Sequence, residues 1–148
     1  MPYYVHDKII SPNIWDEKVG HWNYSLAIAN GSTYYNNNAF VTTYMEVEPS
    51  TRYYLYAAAG STPAYVCYYN SSKQYISGGG FDYSGTVTTP ANATFMRPSF
   101  QNYYGGVYNH DICINKYDPA INGHYYPYNM GAKNYVIKVN NNSMNIGG

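Results

Sequence analysis

The chain is 148 residues long, and its eight Lys and Arg are balanced by eight Asp and Glu, so it carries no net charge. A neutral chain lacks the basic field that phosphate backbones demand, which argues against nucleic acid as a partner, and no run reaches the length of a membrane span. Charge is sparse at 11% of residues while 22 are tyrosine, so phenol hydroxyls, Asn, Ser and Thr must keep the surface wet; tyrosine suits that task because its ring buries area and its hydroxyl tolerates water.

One domain with its own core is expected. Residues 1–12 read as an extension whose stretch 3–10 docks elsewhere. The start, Met-Pro-Tyr-Tyr-Val-His-Asp, lacks the basic head and apolar run of a secretory signal, so folding in a cytoplasm is expected. From residue 22 onward, alternation of period two dominates and helical periodicity is nearly absent. Trp22, Tyr24, Leu26 and Ile28 alternate with Asn23, Ser25 and Ala27. Residues 34–38 read as a loop. Further strands are predicted at 42–47, 52–58, 64–69, 85–89, 94–100, 107–115 and 134–139. In the run 64–69, Ala64, Val66 and Tyr68 face one way and Tyr65, Cys67 and Tyr69 the other. Pro98 places its strand at an edge or a bulge, because proline cannot donate to the ladder. Turns are predicted at Asn30-Gly31-Ser32, Glu48-Pro49-Ser50, Gly60-Ser61-Thr62-Pro63, Asn70-Ser71-Ser72 and Gly78-Gly79-Gly80. This rhythm describes an all-β, antiparallel β-sandwich, jelly-roll-like, with extended N- and C-terminal segments. The sandwich should span 13–128, followed by an Asn-rich strand and tail at 129–148.

Chemistry-bearing motifs are few. His6, His21, His110 and His124 lack metal-ligand spacing, and no cofactor is expected. Structural calcium would fall to Asp16, Glu17, Asp82, Asp111 and Asp118, although no EF-hand run exists. Gly78-Gly79-Gly80-Phe81-Asp82 lacks the Gly-Lys-Ser/Thr of a phosphate loop, and there is no Gly-x-Ser-x-Gly elbow. Glu46 and Glu48 share a strand face, but their spacing marks no catalytic pair; the chain reads as a non-enzyme. Cys67 and Cys113 sit in strand-like runs where cysteine is most often a small buried residue, with a disulfide between them the less common outcome. Sequons at Asn23, Asn30, Asn70, Asn92 and Asn141 follow from composition alone.

What remains is a set of rings in predicted loops with planar polar neighbours, the chemistry that stacks on and hydrogen-bonds a sugar. The ligand-binding candidates are Trp15, Tyr34, Tyr35, Tyr83, Arg97, Asn102, Tyr103 and Tyr104. Phe81, Tyr125, Tyr126, Gln101 and the run Asn36-Asn37-Asn38 stand near them in sequence. Arg97, as a strand residue, would otherwise pair with Glu46 or Asp111 inside the sandwich.

Several stretches in order carry a resemblance. Asn13-Ile14-Trp15-Asp16 precedes Val19-Gly20-His21-Trp22-Asn23. Phe40 through Tyr54 contains Thr43-Tyr44-Met45-Glu46-Val47-Glu48-Pro49. Tyr68-Tyr69-Asn70-Ser71-Ser72-Lys73-Gln74-Tyr75-Ile76-Ser77 reads as a hairpin and is followed by Thr89-Pro90-Ala91-Asn92-Ala93-Thr94-Phe95-Met96-Arg97. Tyr125-Tyr126-Pro127-Tyr128 closes the series. This order resembles the carbohydrate-binding-module-like β-sandwiches of tail-fibre, baseplate and other surface proteins of tailed bacteriophages, over residues 13–128. Trp15 departs from the family's smaller aromatic, and Asn115-Lys116-Tyr117 from its Glu-Lys-Gly turn. The resemblance implies a virion module, made in the host cytoplasm and extracellular once assembled, that binds host or environmental glycans. The alternative it leaves is a purely structural virion component (capsid decoration, head fibre or tail subunit) acting through packing against other virion proteins. A homo-oligomer is expected in either case.

Overall fold

The computed structural model describes residues 6–8, 11–16, 19–57, 62–80, 85–101, 112–128 and 134–136. Their regular elements are all strands: β1 (His6–Lys8), β2 (His21–Leu26), β3 (Thr33–Val41), β4 (Met45–Glu46), β5 (Arg52–Ala57), β6 (Thr62–Tyr69), β7 (Tyr75–Gly80), β8 (Gly85–Thr88), β9 (Phe95–Gln101), β10 (Ile112–Lys116) and β11 (Asn134–Val136). Six form one antiparallel sheet in the order β2-β3-β9-β6-β7, with β4 also on β9, and three form a second in the order β10-β5-β8. The chain changes sheet between β4 and β5, β5 and β6, β7 and β8, β8 and β9, and β9 and β10. The expected antiparallel β-sandwich is the fold. The two terminal segments meet each other, His6 opposite Val136 and Lys8 opposite Asn134.

Alternation explains the core. Tyr53 and Leu55 of β5, with Ile112 and Ile114 of β10, face Phe40, Val66, Tyr68, Met96 and Phe100 of the larger sheet. The other face of that larger sheet is also covered: Val41, Cys67 and Tyr69 join Leu26 under Tyr44, Tyr65, Tyr75 and Phe95. Strand β6 is therefore buried on both faces, as its doubly apolar run predicts. Cys67 points into this outer cluster. Cys113 lies between the core-facing Ile112 and Ile114 and so turns away from the inter-sheet core on the opposite sheet. Neither is in a disulfide.

Phenol hydroxyls tie the outer cluster to the β2–β3 turn. Tyr69 Oη donates to the Gly31 carbonyl (2.6 Å) and Tyr75 Oη to that of Ile28. Gly31 has φ +71°, and a Cβ there would stand 2.5 Å from Tyr75 Cδ2, so only glycine fits. The β6–β7 hairpin turns on Asn70, whose Oδ1 accepts from Ser72 N (2.9 Å) and Gln74 N (3.0 Å). Such side-chain mimicry of a backbone turn is what Asn supplies.

Several of the strand expectations need correction. Residues 34–38 belong to the long strand β3, not a simple loop. Residues 78–80 are the end of β7 rather than a turn; Gly78 is needed there because a Cβ would meet Cys67 Sγ at 2.8 Å. The strand expected over 42–47 shrinks to β4. Of the two placements expected for Pro98, an edge or a bulge, the structure has the bulge: Pro98 lies in central strand β9, opposite an irregular stretch of its neighbour. Val41 is opposite Ser99 and Met45 opposite Met96, so residues 42–44 face only Arg97 and Pro98. Thr42 N donates to the Pro98 carbonyl (3.3 Å), which puts the proline nitrogen, on the same side, against this irregular stretch.

Candidate functional site

Asn13 organises one end of the sandwich. Its Oδ1 accepts from Trp15 N (2.9 Å) and Ile114 N (3.2 Å), and its Nδ2 donates to the carbonyls of Trp15 (3.2 Å) and Tyr126 (2.9 Å). With Ile14 N donating to the Ile114 carbonyl (2.8 Å), the segment 11–16 caps the outer edge of β10. Asn13→Ala would leave buried donors without partners, and should lower the unfolding free energy by about 2 kcal/mol. Urea titration of the two proteins measures it.

Trp15, read from sequence as a ligand platform, is a core residue at 1% exposure. Its ring stands edge-on to Phe40 (centroids 5.3 Å, 68°) and Phe100 (5.2 Å, 81°), and presents no face to a ligand. Arg97 is likewise 8% exposed. Its Nε donates to the Thr42 carbonyl (3.0 Å) and its guanidinium lies 4.7 Å from the Tyr44 ring centroid. It fills the gap opposite residues 42–44 instead of pairing with Glu46. Tyr83, Asn102, Tyr103 and Tyr104 lie outside the described residues, as do Phe81 and Asp111.

Tyr34 and Tyr35 remain, at 42% and 69% exposure. Strand β2 bulges at Asn23, which has φ +66°, a conformation Asn tolerates better than most residues. The bulge breaks the expected alternation, burying Ser25 and Leu26 together and turning Tyr24 outward. Tyr24 pairs across the strands with Tyr35, rings edge to face at 6.0 Å and 87°. Between the pairs Trp22–Phe40 and Tyr24–Tyr35, only Asn23 stands against residues 36–39. The Asn run is thereby pushed out beside Tyr35, and an Asn38 N to Asn36 Oδ1 hydrogen bond (3.0 Å) shapes it. This places exposed ring edges and faces next to planar amides on one hairpin. Tyr24 was missed because a sequence alternation cannot show a bulge.

Beside the segment 11–16 that Asn13 organises lie two adjoining cavities of about 670 and 520 Å³. They share Ile14 and Glu46 as a common wall. The larger is floored by Ile14, Val47 and Ile121 and rimmed by Glu46, Glu48, Lys116, Tyr117 and Asp118. Lys116 Nζ and Glu48 Oε1 are 2.6 Å apart, and that hydrogen bond raises the Lys116 pKa. Both side chains are mostly exposed, so the pair contributes little to stability. Arg52 lies 3.9 Å over the centre of the Tyr117 ring. Tyr53 at the base accepts from Glu48 N (2.9 Å), and burial raises its pKa. These residues were legible as charge and turn signals, but only the fold brings β4, β10 and segment 11–16 together.

The described residues show no activated nucleophile. Burial pushes the Cys67 thiol up to about 11, which makes it a poor one. Among the described residues no three of His, Cys, Asp and Glu gather to hold a metal ion; Glu17, Asp82 and Asp111 of the calcium candidates lie outside them. No protein-family model, no curated protein and no solved structure matches the chain.

Proposed function

We propose that this β-sandwich is a non-enzymatic surface module of a tailed-phage virion that binds host or environmental glycans through the β2–β3 hairpin. The carrying observation is the exposed Tyr24–Tyr35 pair beside the extruded Asn36-Asn37-Asn38 run. A flat ring packs under the apolar face of a pyranose while amides exchange hydrogen bonds with its hydroxyls. The hairpin is held from beneath by Tyr69 and Tyr75, so little ordering entropy is lost on binding. The resemblance of residues 13–128 to virion sandwiches supplies the setting.

Glycan-array profiling of the wild-type chain and Tyr35→Ala tests the reading. Binding to a neutral glycan should survive high salt, since no counterion release drives it. Tyr35→Ala should weaken that binding about ten-fold without lowering the thermal midpoint. Undiminished binding by the folded variant, or no glycan retained by the wild type, sinks the proposal. The same exposed tyrosines on the hairpin at the edge of the larger sheet also suit packing against another subunit. Native mass measurement of the wild type addresses this second reading: an oligomer that Tyr35→Ala converts to a monomer supports the structural role.

A further inference from the structure

The larger end cavity shares no lining residue with the tyrosine hairpin, and its chemistry is different. Five of its backbone donors are already committed. Ile14 N, Val47 N and Tyr117 N donate to the carbonyls of Ile114 (2.8 Å), Thr94 (2.9 Å) and Arg52 (2.9 Å). Glu48 N and Asp118 N donate to Tyr53 Oη (2.9 Å) and Asn122 Oδ1 (2.9 Å). Beyond the hydroxyls of Ser11, Tyr53 and Tyr117, the polar groups left to meet a ligand are carboxylates, which only accept. The Glu46 carboxylate has no hydrogen bond or ion pair among the described residues, and Asp118 uses one oxygen on Ala120 N (3.0 Å). Three carboxylates and one ammonium line the rim, and that ammonium is already held by Glu48. A volume of about 670 Å³ lies within the range of small-ligand sites.

The geometry points to a second recognition site in this cavity, for an oligosaccharide of amino sugars whose protonated amines meet Glu46 and Asp118. The apolar floor of Ile14, Val47 and Ile121 takes the C–H face of the sugar ring. The acceptor rim requires donors, and an ammonium supplies three of them with a complementary charge. A basic peptide fits less well. Extended peptides gain affinity by adding to a sheet edge, and the edge of β10 here is already capped by Asn13 and Ile14.

Calorimetric titration with a glucosamine hexasaccharide, its fully N-acetylated counterpart and hexalysine tests the assignment. The glucosamine oligomer should bind about ten-fold tighter than the acetylated one, because each charge-assisted hydrogen bond is worth roughly that factor. Raising salt from about 50 to about 300 mM should weaken it several-fold. Glu46→Gln and Asp118→Asn should each cost about ten-fold. Glu46 is exposed, and the amide introduced by Asp118→Asn keeps an oxygen for Ala120 N, so both variants should fold, as circular dichroism will check. Repeating the titrations in a Tyr35→Ala background, from which the hairpin's contribution is removed, separates the outcome at the cavity from that of the hairpin site. The site is overturned by absent binding, by equal affinity for the acetylated oligomer, or by full affinity in both folded carboxylate variants. Tighter binding of hexalysine than of glucosamine overturns the sugar in favour of a basic peptide.

Discussion

Trp15→Ala is expected to lower the unfolding free energy by about 3–5 kcal/mol, the range for removing a large buried aromatic. The indole is wedged edge-on between Phe40 and Phe100, and it packs with β10 residues from the facing sheet in one cluster. Deleting it would open a cavity at the seam between the sheets rather than at a collapsible surface. Trp15→Phe should behave differently. The indole Nε1 is buried without a hydrogen-bond partner, so the smaller ring sheds an unsatisfied donor while losing some packing. These effects oppose each other, and a change within about 1.5 kcal/mol is expected. Urea unfolding followed by circular dichroism measures both variants. An alanine variant with wild-type stability would show that the indole does not hold the sheets together.

Alkaline pH should unfold the protein through strand β6. Burial raises the Cys67 thiol from 9.0 to about 11 and the Tyr68 phenol from 10.0 to about 12. Tyr69 is raised further, chiefly by burial and then by neighbouring Cys67, against a lowering by Arg97. All three are neutral in the fold, and the unfolded chain releases their protons at lower pH. Their stabilising contribution is thus fully present below about pH 9 and is lost as pH rises through the folded-state values. A ten-fold difference in proton affinity between the folded and unfolded chain corresponds to about 1.4 kcal/mol. The thermal midpoint should hold from neutrality to about pH 9 and then fall steeply. Near-ultraviolet circular dichroism and tyrosinate absorbance, recorded together, provide the check. The buried phenols should ionise only as tertiary signal disappears; their ionisation with the tertiary signal intact would contradict the burial argument.

The sandwich was legible where residue type and position agreed. Strand β6 alternates between two apolar sets, and both proved buried. β5, β8 and β9 were found within a residue or so because aromatic and β-branched side chains mark them. Strand β3 was not, since its middle is Asn36-Asn37-Asn38 and its strand state comes from pairing with β2 and β9. The glycines of β7 look like a turn, yet at Gly78 the need is room for Cys67. Trp15 shows the limit for sites: a ring in an irregular segment has the same sequence signature whether it seals a core or meets solvent. Arg97 was ambiguous in the same way, and burial beneath Tyr44 decided it. The end cavity was the least legible feature, because its rim is drawn from β4, β10 and the segment before β2.

The bulge opposite Pro98 also bears on how the chain reaches this state. Strand β9 is far along the chain from its partners β3, β4 and β6, and such pairings form late and slowly. In a sheet with apolar residues on both faces, hydrophobicity alone discriminates poorly against a one-residue slip. Pro98 supplies the missing discrimination. Only alignments that set its nitrogen against the irregular residues 42–44 leave no carbonyl waiting for an absent N–H. A slipped pairing would also drive Arg97 between the sheets, where no Thr42 carbonyl awaits it. The proline is therefore expected to disfavour slipped pairings during folding, and replacing it should slow refolding, read by stopped-flow, more than it lowers the urea midpoint.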